Sequence, residues 1–180
     1  GLLPLATALA GAWLAHERPS RQFWACALFG SVVVVAFALW EGGGAPQFAD
    51  LLLVGAVIAA AIGYAEGARL VRRLGGWQVI CWVLVFSAPF LVVPTWWASD
   101  DRLLVAPLSA WVGFAYVAVV SMFLGFFAWY RGLALGGIAA VGQTQLLQPF
   151  LTIFASAWLL QEPVTVVTYL AAALVIVAIA

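Results

Sequence analysis

Residues 142–163 read GQTQLLQPFLTIFASAWLLQEP, an apolar run long enough to cross a bilayer, with a proline near its middle. Gln145, Gln148, Thr152 and Ser156 follow one another at intervals of three, four and four, which gathers them into one stripe of a helix. In hydrocarbon an unpaired amide costs several kcal/mol, so such a stripe has to face protein or a water-filled cavity. The run therefore predicts a spanning helix that keeps a polar side for use inside the protein.

The run has a copy. Setting residue i against residue i+145 pairs Leu2 with Leu147, Pro4 with Pro149, Thr7 with Thr152, Ala10 with Ala155, Ala12 with Ala157, Trp13 with Trp158, Leu14 with Leu159 and Glu17 with Glu162. A chain this rich in Ala, Leu and Val would give about two identities by chance over such a stretch. The Pro, Thr, Trp and Glu pairs carry most of the weight. The chain reads as an internal duplication that opens inside its first copy.

Composition sets the environment. Of the 180 residues, 67% are hydrophobic and 8% charged, and the mean hydropathy is +1.14, values that exclude a soluble domain. There is no lysine and the formal net charge is zero, so no basic cluster exists to hold nucleic acid. Cys26 and Cys81 sit in apolar segments without metal-ligand spacing and read as buried free thiols. The first fifteen residues resemble a signal peptide only superficially: they have no basic stretch before them, and they recur inside the chain.

A bilayer asks for about 20 apolar residues per helix. The chain divides accordingly into 1–15 (partial), 23–40, 51–68, 77–97, 108–130, 137–160 and 164–180, about six and a half spans. The alternate loops divide the cations unevenly, with Arg18, Arg21, Arg69, Arg72, Arg73 and Arg131 on one side and Arg102 on the other. The Arg-rich side is expected in the cytoplasm, with the C-terminus there as well. Trp13, Trp40, Trp77, Trp97 and Trp158 fall near span ends, where the amphipathic indole prefers the headgroup level.

From the first segment to its copy the chain advances five spans, an odd number, so the copies are expected to cross the membrane in opposite directions. The glycine-rich stretch at 41–50 is the expected joint, with 1–44 ending a first repeat and 45–180 forming a second. The fold class is thus an all-α polytopic membrane protein built on an inverted five-helix repeat, whose parent has ten helices. Gly55, Ala59, Gly63 and Gly67 in one segment, and Ser121 with Gly125 in another, are expected to be packing seams.

Little here supports enzymatic chemistry. No acid, base or histidine stands in the middle of a span, Glu66 and the HERPSR loop carrying His16 and Glu17 read as headgroup-level or solvated, and no nucleophile elbow or phosphate loop is present. The polar groups at depth are neutral: Tyr64, Ser87, Ser121, Gln143, Thr144, Gln145, Gln148, Thr152 and Ser156. Pro149 lacks an N–H, so the Gln145 carbonyl is expected to lose its helical partner and either kink the helix or accept a bond from ligand or water. The competing readings are a structural assembly subunit and a membrane-embedded enzyme acting on lipid or an isoprenoid, the latter needing acidic or histidine clusters that this stretch does not supply.

At these residues the sequence resembles a known family. WYRGLALGGIAAVGQTQLLQPFLTIFASAWLLQEPVT at 129–165 is similar to the penultimate-helix region of EamA-domain transporters of the drug/metabolite transporter superfamily, and PLATALAGAWLAHERPS at 4–20 to the matching helix of the first half. The resemblance implies a ten-helix carrier in the bacterial inner membrane that exports amino acids or other small metabolites by alternating access, without a cofactor, and a homodimer is one of its options. The positions matching cavity-lining helices are Pro4 and Thr7 in the first half and Gln145, Gln148, Pro149 and Thr152 in the second, and Thr144 joins them as a candidate substrate-binding residue. Glu17 and Glu162 match an acidic helix-end position and look structural. Small multidrug relatives couple to protons through a membrane-embedded glutamate, and no equivalent stands within a span here.

Overall fold

The computed structural model describes residues 2–42, 48–99, 105–161 and 164–179. Glu162, Gly43, Gly44 and Arg102 lie outside the described residues. All regular structure within them is helical. We number the spans α1 (Leu3–Leu14), α2 (Arg21–Gly42), α3 (Phe48–Leu74), α4 (Gly76–Ala98), α5 (Leu108–Gly136), α6 (Ile138–Gln143, Thr144–Leu147 and Gln148–Leu160 in succession) and α7 (Val166–Ile179). α2 to α6 are long and apolar enough to cross a bilayer, while α1 and α7 are shorter apolar helices. This is the polytopic all-α membrane architecture expected from composition.

Two helices run further than their apolar cores. α3 continues through Arg69, Arg72 and Arg73 to Leu74, and α5 through Arg131 to Gly136. Arginine is a good helix former whose stem lies along apolar surface while its head reaches water, so the cations extend the helices and do not form loops. The stops are glycines: Gly75 at φ 94 and Gly137 at φ 89 hold conformations that L side chains avoid.

The helices gather into two compact units, Gly1–Glu66 with Gly136–Ala180, and Gly67–Leu135. In the second unit, Gly67 receives the Tyr130 ring so closely that a Cβ there would overlap it, and Arg72 donates to the Ala134 carbonyl at 3.4 Å. The expected seam along α3 is confined to that point among the described residues. A Cβ at Gly55 or Gly63 would meet nothing within 4 Å, and the buried positions are instead Ala61, Ala65 and Ala68. Gly125 likewise approaches only the Val120 carbonyl of its own helix.

The first unit pairs each early helix with its later counterpart. α1 lies against the start of α6, and α2 against α7. Gly11 meets Ile138 while Thr7 meets Gly142, so position falls along α1 as it rises along α6 and the two run antiparallel. The same holds for α2 and α7, where Gly30 approaches Ala178 and Val34 shares a core with Ala171, Ala172 and Val175.

Backbone geometry repeats with the same offset as the sequence. Leu2 (φ −84, ψ −21) precedes α1 as Leu147 (φ −76, ψ −20) precedes Gln148–Leu160, each followed two residues on by a proline in the first turn. Among the described residues only His16 (φ 55) and Gln161 (φ 57) are non-glycines at positive φ, and they too stand 145 apart. A left-handed residue costs about 1–2 kcal/mol, and its recurrence at equivalent positions is an independent mark of duplication.

Candidate functional site

α6 changes its winding where the proline dictates. Pro149 has no N–H to return to Gln145, and the helix tightens into a 3₁₀ turn over Thr144–Leu147, where the Gln148 N–H takes the Gln145 carbonyl. The expected free carbonyl is therefore not free: an i→i+3 bond replaces the lost i→i+4 bond. The tightened turn also sets the faces. Leu146 and Phe150, both almost wholly buried, enter the core shared with Val34, Ala171, Ala172 and Val175, and the Phe37 and Phe150 rings stand 5.5 Å apart. Thr144, Gln148 and Thr152, two residues out of phase, are exposed, with Gln145, Pro149 and Ser156 half-buried at the flank.

The hydroxyls of that stripe turn inward to their own helix. Thr144 Oγ1 donates to the Val141 carbonyl at 2.7 Å and Thr152 Oγ1 to the Gln148 carbonyl at 2.9 Å. The amide of Gln148 is then the one long polar group of the open face.

Pro4 and Thr7 lie elsewhere, in the seam between α1 and α6. The Pro4 carbonyl accepts from Gln143 Nε2 at 3.2 Å, and Thr7, fully buried, packs its Cγ2 against Gly142. The structure thus divides the sequence-derived set in two, with Pro4 and Thr7 inside the seam and Thr144, Gln148 and Thr152 on the open face. Gln143, only 6% exposed, is the residue that joins α1 to α6.

Three buried oxygens of this region, Thr7 Oγ1, Gln143 Oε1 and Gln145 Oε1, and a fourth on α2, Ser31 Oγ, have no hydrogen-bond partner among the described residues. Each such group costs about 1–3 kcal/mol when it stays dry, so each calls for a partner such as ligand or water; Gln78 Oε1 on α4 is in the same position. A cavity of about 250 Å³ opens beside Gln143, lined also by Ser20, Phe23, Cys26 and Ala178. A second, of about 370 Å³ and almost wholly apolar, lies between α1 and α3 against Leu9, Trp13 and Ile58.

Glu17 meets the structural, helix-end expectation and not the solvated one: its Oε1 accepts the Ile138 N–H at 2.7 Å and its Oε2 the Ala139 N–H at 2.8 Å, so it caps the first turn of α6. The signal available in the sequence was its repetition at Glu162, immediately after a helix end in each copy.

Antiparallel pairing of equivalent helices, a proline-interrupted span and unpaired neutral polar groups at depth define a helical membrane protein of the inverted-repeat kind. The chain belongs to the EamA-like transporter family, whose sequence pattern matches residues 47–180. It is 46% identical over 164 residues to YdeK, an uncharacterized transporter of Bacillus subtilis (strain 168), a similarity covering 91% of this chain. The chain spans 57% of the length of that curated relative. No solved structure matches it.

Proposed function

We propose that the chain is part of a secondary carrier that exports amino acids or other small polar metabolites by alternating access. The observation that carries this reading is the combination, in one family member, of a midspan break in α6 at Thr144–Leu147 with unpaired buried oxygens on Thr7, Gln143 and Gln145. In an apolar surround such oxygens are tolerated where ligand or water meets them during use. Gln145 and Gln148 are the hydrogen-bonding groups for substrate, with Thr144 and Thr152 beside them on α6 and Thr7 held apart in the seam with α1. Pro149 sets the tightened turn that places them, and the apolar groove against Trp13 and Ile58 takes carbon surface.

The carrier sits in the plasma (inner) membrane with its Arg-rich ends and C-terminus in the cytoplasm. Its parent has ten helices, residues 1–44 closing the first repeat and 45–180 forming the second. No cofactor is needed, and gradients supply the energy.

Replacing Gln145 and Gln148 together by leucine tests the reading. In the full-length carrier, export of its substrate, found with a metabolite panel, is expected to fall to background while membrane abundance and detergent stability hold. Unchanged export by a folded double variant would overturn Gln145 and Gln148 as the substrate-binding groups, and no export of any metabolite by the wild type would return the protein to the class of assembly subunits.

A further inference from the structure

Glu17 does more than end a loop. Its carboxylate ties the corner after α1 to the first turn of α6 through two N–H groups. The tie is built in from three directions. His16 takes a left-handed conformation to aim it, and Gly11 lacks the side chain that would meet both Glu17 Oε2 and Ile138 Cβ at 3.0 Å. Gly137, at φ 89, is the third and makes the turn into α6.

One cavity adjoins this tie and a second lies beyond it. The first, of about 280 Å³, is lined by Glu17, Ser20, Phe23, Gly137 and Ala140. The other is the cavity of about 250 Å³ that reaches Gln143 and Cys26, and it shares Ser20, Phe23 and Ala140 with the first. Ser20, in the wall between them, is fixed by accepting the Phe23 N–H at 3.1 Å. The wall is therefore the start of α2 and the loop that Glu17 anchors.

We propose that Glu17 is a positioning residue, the latch of a passage at the Arg-rich end of the first unit. When its carboxylate leaves the Ile138 and Ala139 N–H groups, the loop carrying Ser20 swings away, the two cavities join, and a polar solute reaches the unpaired oxygen of Gln143. This deepens the transport reading and rests on it, but its structural half is measured without any substrate.

The native Cys26 thiol reports on the passage. In the full-length carrier carrying Cys81→Ser, with any other cysteine replaced, the rate of Cys26 modification by N-ethylmaleimide is compared among wild type, Glu17→Gln, Glu17→Ala and Gly11→Ala. Loss of two charge-assisted bonds is expected to raise the rate about tenfold. Glu17→Gln, which keeps one acceptor, falls between wild type and Glu17→Ala. Gly11→Ala crowds the carboxylate out while leaving it in the sequence, and so raises the rate even where a Glu17 variant folds poorly. Export turnover changes in the same variants. Wild-type reactivity of Cys26 in folded Glu17→Ala and Gly11→Ala overturns the latch. Raised reactivity with unchanged turnover overturns its part in transport, whereas a wild-type carrier without flux would count against the transport reading alone.

Discussion

A methyl group at Gly142 would stand 2.8 Å from Thr7 Cγ2, inside a seam where Thr7 has no exposed surface and no room to turn. Gly142→Ala gains up to about 1 kcal/mol in helix propensity but overpacks at a cost of about 1–3 kcal/mol, so a net loss of stability is expected, seen as a lower melting temperature in detergent. Thr7→Ser removes Cγ2 and is expected to restore most of that loss in the double variant, a coupling that two unconnected sites would not show. At this scale the sequence was read partly. The polar stripe of α6 was visible in its spacing, because period alone assigns residues to a face. Gln143 appeared only as one of several polar residues at depth, since its partner Pro4 lies 139 positions away and nothing local marks the pair. Glu17 was legible as a structural helix-end acid, but the element it caps was not, because the Ile138 and Ala139 N–H groups lie 121 and 122 positions away.

Among elements, α6 is the one whose irregularity follows from a single residue. Pro149→Ala returns an N–H to the Gln145 carbonyl, and the 3₁₀ turn over Thr144–Leu147 is expected to relax to α-helix. Removing the constraint rotates Leu146 out of the pocket it fills against Gly30, where a Cβ would lie 2.7 Å from Leu146 Cδ1. Export is therefore expected to fall severalfold with membrane abundance unchanged, measured by transport assay beside a quantitative blot. The proline was legible; that it tightens the turn, and does not free a carbonyl, was not. The nine-residue π-helical stretch of α5, Tyr116–Leu124, has no counterpart in the sequence reading. None of its residues is buried, and neither a proline nor a period break announces it. The ends of α3 and α5 ran past their apolar cores because hydropathy marks where lipid ends, whereas the helix stops at Gly75 and Gly137.

For the whole molecule, the arrangement of spans and the duplication were legible because both are long-range regularities that hydropathy and offset expose directly. Orientation makes its own prediction: with the native cysteines replaced, Ser99→Cys just past α4 is expected to react with an impermeant maleimide in intact cells, and Leu74→Cys at the end of α3, just before α4, only after the cells are broken. The account's central claim is that equivalent helices of the two copies meet the opposite way up, and disulfide cross-linking in the same cysteine-free background tests it most directly. Built Cβ atoms at Gly142 and Gly11 stand 3.3 Å from Thr7 Cβ and 3.0 Å from Ile138 Cβ, close enough for a disulfide after a shift of a few tenths of an ångström. Thr7→Cys with Gly142→Cys, and Gly11→Cys with Ile138→Cys, are expected to cross-link on mild oxidation, whereas Gly11→Cys with Leu146→Cys is not. Bridging of the 11/146 pair together with 7/142, and none at 11/138, would show the two helices running the same way and would contradict the account.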